Sequence, residues 1–277
     1  MRYISLGWLL CFLLLQAPAL SCAALPVSVQ EGVFDNLTAP PNVQPILNVS
    51  DNSTTADTGS ALLTTEQYDL AIAEAASMLN SNQEDLSLKE KLADAYIARA
   101  WYYKQKRLNT YTLDDLNKAC EIAPEYYRVH YELGRFHNNQ WQFSIGLLDL
   151  NKALAFKPDY APTHNERAYS NYKSRKYEAG LVDAGRAIEL DPTLPRSYCV
   201  RSLIYAALGE PGLAIQDADQ AVRLAPDDAA SYYNRSLVYT ASGEIALAVA
   251  DLETTLRLSQ DDLLTTRAGA DLRALKK

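Results

Sequence analysis

Residues that commonly carry chemistry are scarce in this chain. There are three histidines in 277 residues, His130, His137 and His164. The chain has no HExxH, no G-x-S-x-G, no CxxC and no G-x-G-x-x-G following a strand pattern. The usual marks of zinc hydrolysis, an activated serine, dithiol redox chemistry and dinucleotide binding are therefore missing. Paired carboxylates occur (Asp114/Asp115, Asp227/Asp228, Asp261/Asp262), but at expected helix starts and inter-repeat turns, where such pairs are expected to cap helices and complement the dipole. No Lys or Arg stands between Arg2 and Lys89, a stretch holding nine acidic residues, and no sustained basic stripe follows. This argues against nucleic acid as a partner. The apolar run at 4–15 is short for a bilayer span. Of the four cysteines, only Cys120 and Cys199 lie beyond the first 24 residues.

What is present is a period. Pro124, Pro158, Pro192 and Pro226 stand 34 residues apart. Five residues before each is a small residue (Ala119, Ala153, Ala187, Ala221), and nine before each is an aspartate (Asp115, Asp149, Asp183, Asp217). A further unit keeps Asp251, Leu252 and Leu258 with Gln260 in the proline's place. Each unit holds two apolar stretches of helical period, with Gly209 and Gly243 between them in the last two units, where positive φ is useful. The proline follows the second helix, which it cannot continue. A strict period of this length marks a repeat array whose units stack on their neighbours.

The pattern resembles the tetratricopeptide repeat over 93–262, as units 93–126, 127–160, 161–194, 195–228 and 229–262. Small residues fit the close-approach position of the first helix (Ala100, Gly134, Ala168, Ser202, Ser236) and of the second (Gly146, Gly180, Ala214, Ala248, with Thr112 departing). The resemblance implies an all-α fold, a right-handed solenoid of helix–turn–helix repeats. Residues 62–92 are read as degenerate N-terminal capping helices and 263–277 as a C-terminal capping helix with a wet face. Repeats contact only neighbours, so Cys120 and Cys199 are expected to be too far apart to bridge.

Four arginines, Arg99, Arg167, Arg201 and Arg235, occupy a first-helix position that the family usually fills with an apolar residue. Each precedes the phased aspartate of its unit (Asp115, Asp183, Asp217, Asp251) by sixteen residues, and the spacing predicts an ion pair across each hairpin. Unit 2 has Leu133 instead, and Arg135 or Lys152 is expected to serve Asp149. His130, His137 and His164 are read as packing residues; their convergence on a metal is the lesser alternative. No metal or cofactor is expected and no catalytic residue is named.

Residues 1–24 have the layout of a signal peptide, with Arg2, the apolar run and small residues before a cleavage point after Ala23 or Ala24. Lipoprotein processing at Cys22 is the rival reading. Residues 25–61, rich in Pro, Asn, Ser and Thr, read as a disordered tether. Their sequons at Asn36, Asn48 and Asn52 would matter only in a secreted glycoprotein. The chain is thus expected to be exported, periplasmic or secreted, and to touch membrane only if Cys22 is lipidated.

In the family, ligands lie along the concave face lined by first helices. Carried over, those positions are Trp101, Lys104, Arg128, Tyr131, Arg135, Asn165, Tyr169, Tyr172, Lys173, Arg196, Tyr233 and Asn234. Such a Tyr/Arg/Asn mixture suits peptide recognition. The resulting expectation is a non-catalytic exported scaffold binding a protein or peptide partner. The alternative is an accessory or regulatory subunit of an envelope or secreted enzyme complex, docked by an edge or cap.

Overall fold

The computed structural model describes residues 64–277. The signal peptide and the whole tether, with Cys22 and the three sequons, lie outside the described residues. Among the described residues are twelve helices and no strand: α1 (Thr65–Ser81), α2 (Leu86–Gln105), α3 (Asn109–Ile122), α4 (Tyr127–Asn139), α5 (Phe143–Phe156), α6 (Ala161–Lys173), α7 (Tyr177–Leu190), α8 (Pro195–Ala207), α9 (Pro211–Leu224), α10 (Ala229–Ala241), α11 (Ile245–Leu258) and α12 (Asp262–Leu275). Helices α2 to α11 form five hairpins, and the first helix of each packs on the first helix of the next. This is an all-α repeat solenoid.

Local chemistry sets the helix ends. Asp85, Asp228 and Asp261 are N-caps whose carboxylates accept from backbone N–H groups of the first turns of α2, α10 and α12. Because Asp85 caps α2, residues 86–92 are not part of a separate cap. They are the first two turns of the helix that carries unit 1. The turn inside each hairpin needs one residue at positive φ. Gly209 (φ +78°) and Gly243 (φ +79°) supply it in units 4 and 5, while Arg107, Trp141 and Arg175 adopt it in units 1–3.

Small residues let the helices close on one another. A Cβ added at Gly134 would lie 2.6 Å from Leu150 Cγ, and one at Gly180 would lie 2.8 Å from Ile204 Cδ1. Around these contacts Ile97, Val129, Leu150, Val200, Ile204, Val238 and Leu252 are almost completely buried, in successive apolar clusters along the array. Cys120 and Cys199 are free thiols. Burial pushes the Cys199 thiol up to about 12, so it is an inert core residue.

The hairpins are stitched by charge. Arg99 places Nε and Nη2 each 2.7 Å from the two oxygens of Asp115. Arg201 grips Asp217 at 2.7 and 2.9 Å, and Arg235 grips Asp251 at 2.8 and 2.8 Å. Arg167 holds Asp183 at 2.9 and 2.6 Å. Three of these arginines also reach back to the preceding second helix: Arg99 to Asp69, Arg167 to Asn151 at 2.8 Å, and Arg235 to Asp219 at 2.8 Å. In units 1, 4 and 5 two tyrosines flank the guanidinium, as Tyr232 and Tyr239 do Arg235 at 5.6 Å each.

Unit 2 corrects an expectation. Neither Arg135 nor Lys152 serves Asp149: His137 Nδ1 lies 2.7 Å from Asp149 Oδ2. His137 sits one turn beyond Leu133 on α4, so its shorter side chain reaches the carboxylate that an arginine reaches elsewhere. The other histidines have separate tasks. His130 Nε2 and His164 Nε2 each lie 2.7 Å from the carbonyl of a phased proline, Pro124 and Pro158, which ties one unit to the next. Tyr198 does the same at Pro192. Among the described residues no group of three or more His, Cys, Asp or Glu is arranged to hold a metal ion.

Two outcomes follow for stability. Arg235→Ala leaves the buried Asp251 carboxylate uncompensated and should lower the unfolding free energy by about 3 kcal/mol, with much of that recovered by Arg235→Met with Asp251→Leu. Urea denaturation checks both. For Asp183, burial by itself raises the pKa, but hydrogen bonds from His164 and Arg167 outweigh it and hold the group below the ordinary carboxylate value. A depressed folded pKa contributes stability above the unfolded value, and that contribution is lost as pH falls through the folded pKa. Arg167→Met should therefore be less stable than wild type at neutral pH, with the difference shrinking below about pH 4. Thermal unfolding across the acid range measures it.

Candidate binding surface

The first helices α2, α4, α6, α8 and α10 position all twelve residues named for recognition. Six of them, Tyr131, Arg135, Asn165, Tyr169, Tyr233 and Asn234, are buried between neighbouring helices. The other six, Trp101, Lys104, Arg128, Tyr172, Lys173 and Arg196, are half-buried and keep surface. The buried set supports the face from behind. Asn234 Nδ2 donates to Ser202 Oγ at 2.8 Å, locking α10 to α8, and the Tyr233 hydroxyl donates to Asp271 at 2.7 Å, holding α12 in place as the cap.

The centre of the face is a paired-charge seam that the sequence pattern did not single out. Arg135 lies 4.5 Å over the Trp101 ring and 5.5 Å from the Tyr131 ring. Its guanidinium stands 3.4 Å from Glu132 and 3.6 Å from Glu166. Glu166 also receives Arg196 at 2.8 Å. Asn138 contacts Glu166 Oε2 at 3.5 Å and accepts from Ser170 Oγ at 2.9 Å. Two buried glutamates thus face two arginines across α4, α6 and α8, and the charges balance. Burial first, and then the neighbouring carboxylates, push the Tyr131 phenol well above its ordinary range. Glu132 and Glu166 stand one period apart, which is the only sequence signal that pointed to this seam.

Beside it, Arg128 bonds Asp94 at 2.9 Å, and the Tyr126 hydroxyl donates to the same carboxylate at 3.1 Å. Burial outweighs these partners and raises the Asp94 pKa. Lys104 stands 4.8 Å over Trp101, and Lys173 stands 5.0 Å over Trp141. Burial pushes the Tyr172 phenol up to about 12.

Among the described residues a cleft of about 650 Å³ opens. One lip is the end of α2, with Lys104, Gln105 and Arg107. The other is formed by the turns before α10 and α12, with Asp227, Asp228, Asp261 and Asp262. Asp228 and Asp261 are committed to capping, whereas Asp227 and Asp262 are exposed. The cleft therefore has a basic lip and an acidic lip, and its volume is in the range of ligand-binding clefts. Of the twelve named residues it includes Lys104.

Residues 195–228 and 229–262 each match the family model described as tetratricopeptide repeat. No curated protein matches the chain by sequence. Among solved structures, TTC0263, described as a thermophilic TPR protein from Thermus thermophilus, aligns at a TM-score of 0.60 and 19% identity, covering 65% of this chain and 99% of that one. The pilF protein of Pseudomonas aeruginosa aligns at 0.54 and 19% identity, over 68% of this chain and 88% of that one. A chain of the APC/C hetero-tetramer Cut9-Hcn1 aligns at 0.60 and 14% identity, over 76% of this chain and 40% of that one. At these identities the likeness is one of fold. Residues 195–262 thus match two tetratricopeptide repeats, and the described residues as a whole form an all-α helical repeat solenoid.

Proposed function

We propose that this protein is a non-catalytic, exported scaffold that binds a protein or peptide partner along the inner, first-helix face of the array. The fold class is one of interaction scaffolds. The observation that carries the inner-face reading is the cleft with lips of opposite charge. Lys104 and Arg107 are placed for a carboxylate-bearing part of a partner, and Asp227 and Asp262 for a basic part. The seam of Glu132, Arg135, Glu166 and Arg196 supplies a rigid, charge-balanced floor beside Trp101, which spares the partner the cost of ordering a soft surface. Export rests on the sequence layout of residues 1–24, and the reading calls on neither nucleic acid nor a cofactor.

A second reading has its own support. Leu148 and Val182 on the second helices are 63% and 73% exposed. Apolar side chains so bare on a folded array fit docking by the outer face, as an accessory subunit would dock.

Peptides selected for binding to the full chain should bind about tenfold more weakly when Asp227→Lys and Asp262→Lys are combined, because electrostatic complementarity at the acidic lip is reversed. Isothermal titration reads the change. Binding that survives this pair but falls on Leu148→Asp with Val182→Asp would replace the inner-face reading with the accessory one. Mass measurement of the N-terminus of the chain made in cells tests export: a chain beginning at Ala24 or Leu25 supports it, an acylated Cys22 moves the chain to a membrane anchor, and an intact Met1 overturns it.

A further inference from the structure

The turns inside the hairpins divide the array into two kinds of unit. Units 4 and 5 meet the need for positive φ with Gly209 and Gly243, around which there is open space. Units 1–3 hold the same left-handed conformation with Arg107 (φ +58°), Trp141 (φ +63°) and Arg175 (φ +59°). A residue with a Cβ is disfavoured in that region, whereas glycine enters it freely. Trp141 packs against Phe143 and under Lys173, but the turn itself closes without a side chain where Gly209 and Gly243 stand. Three consecutive units bear the cost and set an arginine, a tryptophan and an arginine in a row along the edge where the intra-unit turns lie.

The surroundings of the row have the same character. Lys106 and Lys176 flank the two arginines, and all four cations are exposed with no carboxylate at ion-pair distance among the described residues. The position occupied by Lys176 at the start of α7 is Glu210 at α9 and Glu244 at α11, so the basic character ends with unit 3. Apolar side chains stand on the same edge: Leu108, Tyr111, Trp141 and Ile145 are each between 41% and 56% exposed. Charge pairing with a carboxylate-rich peptide would engage the cations and leave these four bare. A bilayer interface takes both, with anionic headgroups meeting the cations while aromatic and aliphatic groups enter the boundary region.

We propose that the turn edge of units 1–3 seats on an anionic lipid surface. The contact is peripheral: among the described residues no helix is long and apolar enough to cross a membrane. It is separate from any lipid at Cys22, because it resides in the folded array; it shares Arg107 with the basic lip of the cleft and leaves the acidic lip unused.

The test is co-sedimentation of the full chain with vesicles of phosphatidylglycerol and phosphatidylcholine, against vesicles of phosphatidylcholine alone. The readout is the difference between the two, so the apolar run at 4–15, which does not distinguish headgroup charge, drops out. Wild type should prefer the anionic vesicles, and salt should weaken it. Arg107→Gly with Trp141→Gly and Arg175→Gly should bind the anionic vesicles about thirtyfold more weakly from the two lost cations alone. That variant should unfold at no lower urea concentration than wild type, since glycine is the residue that the turn conformation favours. If it nevertheless unfolds, Lys106→Glu with Lys176→Glu, at turn positions of ordinary φ, makes the same comparison. Equal binding to both vesicle types, or undiminished binding by the folded variants, overturns the proposal. So does edge-dependent binding of poly-glutamate with none to vesicles, which would make the occupant an acidic protein segment.

Discussion

A buried carboxylate in every second helix is the constraint around which the array is built. Asp115, Asp149, Asp183, Asp217 and Asp251 are each less than a tenth exposed. A charge taken out of water within a hairpin must be matched across it. The match fixes how the first helix lies against the second, because a two-pronged guanidinium grip tolerates little sliding. Where the arginine also reaches the preceding unit, as in Arg99 to Asp69, Arg167 to Asn151 and Arg235 to Asp219, one cation sets both the hairpin and its stacking. Arg201 has Gly185 at the corresponding place and bonds Asp217 of its own unit.

The same demand is met in different ways along the chain. Units 1, 4 and 5 place an arginine between two tyrosines. Unit 3 keeps the arginine and adds Asn171 and His164 around Asp183. Unit 2 loses it and recruits His137. The first helices of units 2 to 4 also hold the Glu132–Arg135–Glu166–Arg196 seam, so the middle of the array is more polar inside than its ends. This follows from position as well as from residue type: Glu132 and Glu166 stand where units 4 and 5 have Val200 and Asn234.

With the interior charges matched internally, what remains for partners is peripheral to the hairpins. The cleft draws on the end of α2 and on two turns more than a hundred residues later in the chain. The turn edge draws on residues whose backbone conformation is unfavourable for their type. The charged side chains at these surfaces lie outside the core, which leaves them at liberty to differ from unit to unit while the proline, alanine and aspartate positions recur.

The sequence by itself determined the period, the helical hairpins, the starts of α4, α6, α8 and α10 at the unit boundaries, and the Arg–Asp pairing. These depend on separations along one hairpin, and a spacing of sixteen residues fixes which side chains meet inside it. It did not determine which groups replace a missing arginine, because whether His137, Arg135 or Lys152 reaches Asp149 depends on side-chain reach and on what else each one touches. Nor did it distinguish first-helix residues that face the groove from those closed off by the next unit. Tyr131 and Arg135 are buried while Trp101 and Arg196 keep surface, though all four stand at first-helix positions of the same pattern. That division comes from the stacking of one unit on another. So does the cleft, whose basic and acidic lips share no local pattern and face each other only because the intervening units carry the chain around to bring them together.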